Sequence, residues 1–143
     1  VQATLADRMA SARRVAHDPR IKLTDFEAEL PTAYTVSTLQ YLVAHYPGVR
    51  FVWLMGADNL ASLHRWRAWR RIPALMPIAV IDRPGWRFKA LTSPAARAFA
   101  RARMREAAAV TLPDRRPPAW TLLGGPLSAL SSTAIRSGRA DLE

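Results

Sequence analysis

The chain has no cysteine. That excludes a disulfide framework and a thiolate-built metal site. Histidine is scarce: His17, His45 and His64 stand alone, with no second His or Cys at ligand spacing, so no protein-built metal site is expected. Lysine is nearly missing, with only Lys22 and Lys89 among 21 basic residues. Acidic residues number 11, which leaves a formal net charge of +10 carried almost wholly by arginine. No apolar run approaches the length of a membrane span, and no secretion-signal pattern is visible, so a cytoplasmic location is the expectation. A starting methionine is also missing: the chain opens at Val1 inside a helical pattern, as a truncated or processed chain does. There is no internal repeat and no composition break, so 1–143 reads as a single domain.

What is present is a half-apolar sequence, enough for a real core. A pI near 11.4 points to anionic partners such as nucleotide phosphates, nucleic acid or an acidic surface. The same arginines also serve as ordinary solvated faces. Residues 1–17 have the period of an amphipathic helix, with Val1, Leu5, Met9, Ala12 and Ala16 on one stripe and Pro19 as its stop. Ile21–Phe26 alternates as a short strand does. Thr35 is the expected N-cap of a helix whose apolar face holds Val36, Leu39, Val43 and Tyr46. Phe51–Met55 is an unbroken apolar run, expected to be a parallel strand covered on both faces. Asp58 is the expected cap of the helix after it, and a basic helix should follow Trp66 and stop at Pro73. Pro77–Asp82 is a second apolar strand with Arg83-Pro84-Gly85 as its exit turn. Residues 86–94 read as a loop, and 95–110 as one Ala- and Arg-rich helix with Arg97, Arg101 and Arg105 on a ridge. Trp120–Leu123 is a last strand, and Ser131-Ser132-Thr133 opens a short helix.

Helices alternating with short apolar strands predict an open α/β sheet, whose ligands bind beyond the carboxyl ends of the strands. The informative residues sit there. Gly56 lets the backbone turn sharply or approach a ligand, and Asp58 offers a carboxylate beside it. In LSSTAIR, hydroxyl residues at a helix start, with Arg136 on the first turn, make a cradle for polyphosphate; they equally suit a plain serine cap and a surface arginine. Tyr34 and Thr35 precede a helix whose N–H groups could hold a carboxylate. Trp66, flanked by His64, Arg65 and Arg67, offers an indole face to a flat anionic ring, or packs as a core tryptophan.

Taken in order, TAYTVSTL, GADNLASLHRW, DRPG and LSSTAIR closely resemble the bacterial nicotinate mononucleotide adenylyltransferases. The resemblance runs from about Leu5 to Arg139. Its specific parts are the spacing from Gly56 through Asp58 to Trp66 and the SSTxIR pattern at Ser131–Arg136. SSTxxR alone also fits phosphopantetheine adenylyltransferase; the other motifs select the nicotinate enzyme. The resemblance implies a Rossmann-like sheet of parallel strands with flanking helices. It implies transfer of the adenylyl group of ATP to nicotinic acid mononucleotide, giving the deamido form of NAD and pyrophosphate. Trp66 would stack on the nicotinate ring, Tyr34, Thr35 and the backbone at Arg67 would hold its carboxylate, and Arg83 would lie on the substrate-phosphate side. Gly56 and Asp58 would contact the adenosine part. Ser131, Ser132 and Arg136 would hold the ATP phosphates, with Mg²⁺ bridging phosphate oxygens and no protein ligand to the metal.

The family's GxFxPxHxGH motif, whose histidines stabilise the triphosphate, does not occur in these residues. The resemblance therefore predicts a chain that lacks the first two strands and a closing C-terminal helix and is inactive by itself. It also predicts instability, aggregation, self-association or strand-completing association, because a buried edge would stand unpaired. Two other readings remain at this point: a basic nucleic-acid-binding domain using Arg97, Arg101, Arg105, Arg115 and Arg116, and a nucleotide-binding pseudoenzyme.

Overall fold

The computed structural model describes residues 4–31 and 33–125. They fall into two compact units divided between Tyr34 and Thr35. In the first unit, helix α1 (Leu5–Val15) opens with a reciprocal cap. The Thr4 hydroxyl accepts the Asp7 N–H at 3.1 Å, and the Asp7 carboxylate accepts the Thr4 N–H at 3.1 Å. Met9, Ala12 and Ala16 of the expected stripe are half-buried. The strand expected at Ile21–Phe26 does not form: 21–25 have no regular structure, and Phe26–Glu29 is a 3₁₀ turn. Local bonds explain it. The Ile21 N–H goes to the Asp18 carbonyl at 2.9 Å and the Phe26 N–H to the Thr24 hydroxyl at 3.2 Å, so both donors are spent within the turn.

The second unit carries α2 (Thr35–His45), then β1 (Trp53–Gly56) and α3 (Ala57–Ser62). Short 3₁₀ turns at Leu63–Arg65 and Trp69–Arg71 lead to α4 (Ile72–Leu75) and β2 (Ile78–Ile81). The chain returns through α5 (Arg87–Leu91), α6 (Pro94–Ala98) and 3₁₀ segments Ala100–Ala102 and Glu106–Asp114 to β3 (Trp120–Leu123). The three strands are parallel, in the order β1-β2-β3. This is an α/β fold with helical crossovers between parallel strands, as the sequence implied.

Register divides the sheet into two faces. Trp53, Ile78 and Trp120 align in one row and Met55, Val80 and Leu122 in the next. These rows meet Val36 and Leu39 of α2, Leu60 and Leu63 after β1, Ile72, and Ala90, Ala95 and Ala96 from the second crossover. Val80, on the central strand, is wholly buried. The other face is covered thinly: Ala79 packs with Leu112 and Ala119, beside Val52, Met104 and Leu123. Leu54 on that face remains 63% exposed. The expectation that Phe51–Met55 is covered on both faces is thus corrected: β1 stands at the outside of the three-strand order, and the 3₁₀ segment opposite packs over the β2–β3 side.

Other expectations change for local reasons. Pro73 does not stop a helix after Trp66; it sits in the first turn of α4, where its missing N–H has no partner to lose. Thr35 is the first residue of α2 and not the residue before it. Of its expected face, Val36 and Leu39 are buried while Val43 and Tyr46 are exposed. Residues 86–94 are not a loop: α5 forms there once Gly85, at φ +74°, has turned the chain. The single helix expected at 95–110 is broken after Ala98. There the chain is drawn to β3: Trp120 Nε1–H donates to the Phe99 carbonyl at 2.8 Å, and the Met104 N–H reaches the Trp120 carbonyl at 2.7 Å. These tertiary bonds override the helical propensity of an Ala- and Arg-rich run. The Arg97–Arg101–Arg105 ridge, which needs one continuous helix, does not exist.

Candidate functional site

The carboxyl ends of the three strands lie side by side. The Asp82 N–H, one residue beyond β2, donates to the carbonyl of Leu123 at the end of β3, at 2.9 Å. Gly56 ends β1 and immediately precedes α3, and Asp58 lies in the helix's first turn. Asp58 is not the helix cap it was expected to be; α3 has no side-chain cap, and the carboxylate meets the helix dipole from inside the first turn. Its Oδ1 lies 3.2 Å from Nε of Arg83, which comes from the exit of β2. Gly56 is the floor of this approach. A Cβ there would collide with Asp58 Oδ1 and stand 2.8 Å from Arg83 Nε. A side chain there would displace one of these two groups, while its φ of −77° makes no demand for glycine.

The ion pair is loosely made. Asp58 Oδ1 is screened from solvent yet receives no well-aligned hydrogen bond. Both side chains are more than a third exposed, 39% for Arg83 and 35% for Asp58. A pair of that kind holds a geometry but costs little to exchange for another partner.

Asp82 is the residue that sequence reasoning missed. Its side chain is only 6% exposed, and its carboxylate accepts the Arg83 N–H at 2.8 Å and the Arg87 guanidinium at 2.7 Å. Aspartate immediately before Arg-Pro-Gly is a favoured turn opener, which was the available signal. A third carboxylate, Glu106, accepts the Gly124 N–H at 2.8 Å just past β3. Each strand exit of this strongly cationic chain is therefore organised by one carboxylate: Asp58, Asp82 and Glu106.

Trp66 follows the turn after α3. Its N–H donates to the Leu63 carbonyl at 2.9 Å, and it is half-buried against the core. Its ring centroid is 5.9 Å from that of Trp53 with the planes at 58°. Arg67 beside it is exposed. Ala68 completes this segment at φ +50°, the one non-glycine residue with positive φ among the described residues. Strain of that kind is retained where surrounding structure dictates the backbone. Thr35 is half-buried at the start of α2, and Tyr34 is exposed. The structure thus brings Gly56, Asp58 and Arg83 together and sets Trp66 on Trp53. Ser131, Ser132 and Arg136 lie outside the described residues. So do Val1 and Thr32.

The opposite rim holds a cavity of about 280 Å³ lined by Phe51, Met76 and Pro117 among others. It opens at the amino ends of the strands, away from where an open parallel sheet places its ligands.

Residues 2–138 match the family model described as cytidylyltransferase-like. The chain belongs to that family. It is 53% identical over 138 residues to a probable nicotinate-nucleotide adenylyltransferase of Rhizobium meliloti (strain 1021), covering 96% of this chain and 73% of that one. A protein of the same name from Methylorubrum extorquens (strain PA1) is 54% identical over 137 residues, covering 96% and 74%. A third, from Bradyrhizobium sp. (strain ORS 278), is 53% identical over 133 residues, covering 93% and 69%. Membership of this family agrees with the parallel sheet and with a ligand edge at its carboxyl ends. No helix among the described residues is long and apolar enough to cross a membrane.

Proposed function

We propose that the chain is a nicotinate mononucleotide adenylyltransferase, joining the adenylyl group of ATP to nicotinic acid mononucleotide in the synthesis of NAD in the cytoplasm. The observation that carries the reading is the meeting of Gly56, Asp58 and Arg83 at the carboxyl edge, in a chain that shares over half its residues with proteins of that name. In this reaction a phosphate oxygen of the mononucleotide attacks the α-phosphorus of ATP. A new P–O bond forms, the bond to the β-phosphate bridge breaks, and pyrophosphate leaves. No protein nucleophile is needed, so the protein's work is alignment and neutralisation of charge.

In this reading Trp66 is the platform for the nicotinate ring. Tyr34, Thr35 and the backbone at Arg67 take its carboxylate, and Arg83 faces the mononucleotide phosphate. Gly56 and Asp58 serve the adenosine part; Ser131, Ser132 and Arg136 serve the ATP phosphates. Asp82 and Glu106 each accept a hydrogen bond from a protein donor, and Asp58 faces the Arg83 guanidinium. Mg²⁺ fits as a companion of ATP held by phosphate oxygens, where it would offset their charge. The family's HxGH does not occur within the 143 residues. The roles proposed here for these residues are in substrate binding.

Titration with nicotinic acid mononucleotide, followed by calorimetry and by tryptophan emission, tests this. Binding with quenching is expected. Trp66→Leu should weaken it by about tenfold, the scale of one lost stacking contact. Absence of binding, or equal binding by Trp66→Leu, would overturn the reading.

A further inference from the structure

The turn after β2 is built around a carboxylate that no substrate role uses. Asp82 is nearly enclosed, yet it takes two donors from its own segment, the Arg83 N–H and the Arg87 guanidinium. Its own N–H is bonded to the end of β3. Backbone and side chain together therefore fix the position from which Arg83 departs. Beyond that root, the Arg83 side chain reaches over Gly56 to Asp58, where the contact is poorly aligned and both side chains remain over a third exposed. A rigid root and a weakly held tip describe an arm. A phosphate offers a guanidinium two well-directed acceptors, which a single misaligned carboxylate oxygen does not.

We propose that Asp82 is a positioning residue that fixes the root of Arg83, so that its guanidinium passes from Asp58 to the phosphate of the bound mononucleotide. The proposal rests on the functional reading above and deepens it. Asp82 itself touches no substrate. Arg87 completes the device by holding the Asp82 carboxylate from the first turn of α5.

The test compares two ligands that differ only in the phosphate, nicotinic acid mononucleotide and nicotinic acid riboside, by calorimetry on the whole chain. Asp82→Asn should weaken the mononucleotide about tenfold and leave the riboside within about twofold. Arg83→Gln should do the same, and the double variant should lose little more than either alone, because the two act through one contact. Arg87→Gln, on an exposed side chain, provides a second variant should Asp82→Asn fail to fold; it should give a smaller loss, again confined to the phosphorylated ligand. An equal loss for both ligands, or additive losses in the double variant, would show a merely structural Asp82 and overturn the proposal. Wild-type chain that binds the mononucleotide, with Asp82→Asn and Arg87→Gln binding it equally, overturns the proposal alone. Wild-type chain that binds neither ligand overturns the functional reading, and the positioning role with it.

Discussion

Gly56 shows how one residue without a side chain can set the spacing of two charges. Its Cα lies under the approach of Arg83 to Asp58, and any added carbon must push one of them away. Gly56→Ala should push aside one of two half-exposed side chains, lowering stability by no more than about 1 kcal/mol, and should weaken ATP binding. Urea denaturation and calorimetry check the two halves; a much larger fall in the midpoint would mean that neither side chain can move aside. The sequence singled out this glycine as a sharp turn or a close approach, with a carboxylate two residues on; the backbone there is extended, and what the glycine leaves is room for the two side chains. The partnership with Arg83 was not. Twenty-five positions separate Asp58 from Arg83, and no local pattern reports a contact across two strands. Asp82 was hidden for a different reason: beside an arginine of evident interest, it reads as the polar end of an apolar strand.

Elements were readable where period and burial agree. The runs at Phe51–Met55, Pro77–Asp82 and Trp120–Leu123 became β1, β2 and β3, each within a residue or two. They failed where a distant bond decided the backbone. The Ala- and Arg-rich run has every local reason to be one helix, yet the indole N–H of Trp120 and the Met104–Trp120 bond hold it open. At Ile21–Phe26 the error runs the other way: alternation over so few residues is outweighed by turn bonds of Asp18 and Thr24. Helix α1 offers a test at this scale. The Thr4 hydroxyl and N–H hold the Asp7 carboxyl below its usual value of 3.8. A depressed folded value means that the cap contributes fully above the ordinary carboxylate range and is lost as pH falls through the lower folded value. The Asp7 carboxyl resonance should therefore titrate below 3.8, and the Asp7 amide should exchange faster once it has. Titration at the ordinary value would show that the reciprocal cap does not hold in solution.

Over the whole molecule the dominant fact is charge. A formal +10 on 143 residues repels itself and attracts polyanions. Raising ionic strength from about 0.01 M to about 1 M shortens the screening length from about 30 Å to about 3 Å. Affinity for ATP and for nicotinic acid mononucleotide should fall across that range, while affinity for the uncharged-tail riboside holds and the melting temperature rises. Calorimetry and thermal denaturation in chloride salts measure both trends; salt-independent ATP binding would contradict the electrostatic account. The breaking of the 95–110 helix matters here too, because it removes the regular basic ridge on which a nucleic-acid reading depended. What remains is a strongly cationic chain whose strand exits are held by carboxylates.

The pairing of Trp53 with Trp66 has an optical consequence. Two indoles 5.9 Å apart and inclined at 58° are close enough for their excited states to mix. Such a pair produces a split band of opposite signs in the ultraviolet circular dichroism, distinct from the signal of helices and strands. One member belongs to the sheet and the other to the segment proposed to carry the pyridine ring. The protein thereby contains its own spectroscopic ruler: a shift of Trp66 by a fraction of its ring width changes the splitting, with no label attached.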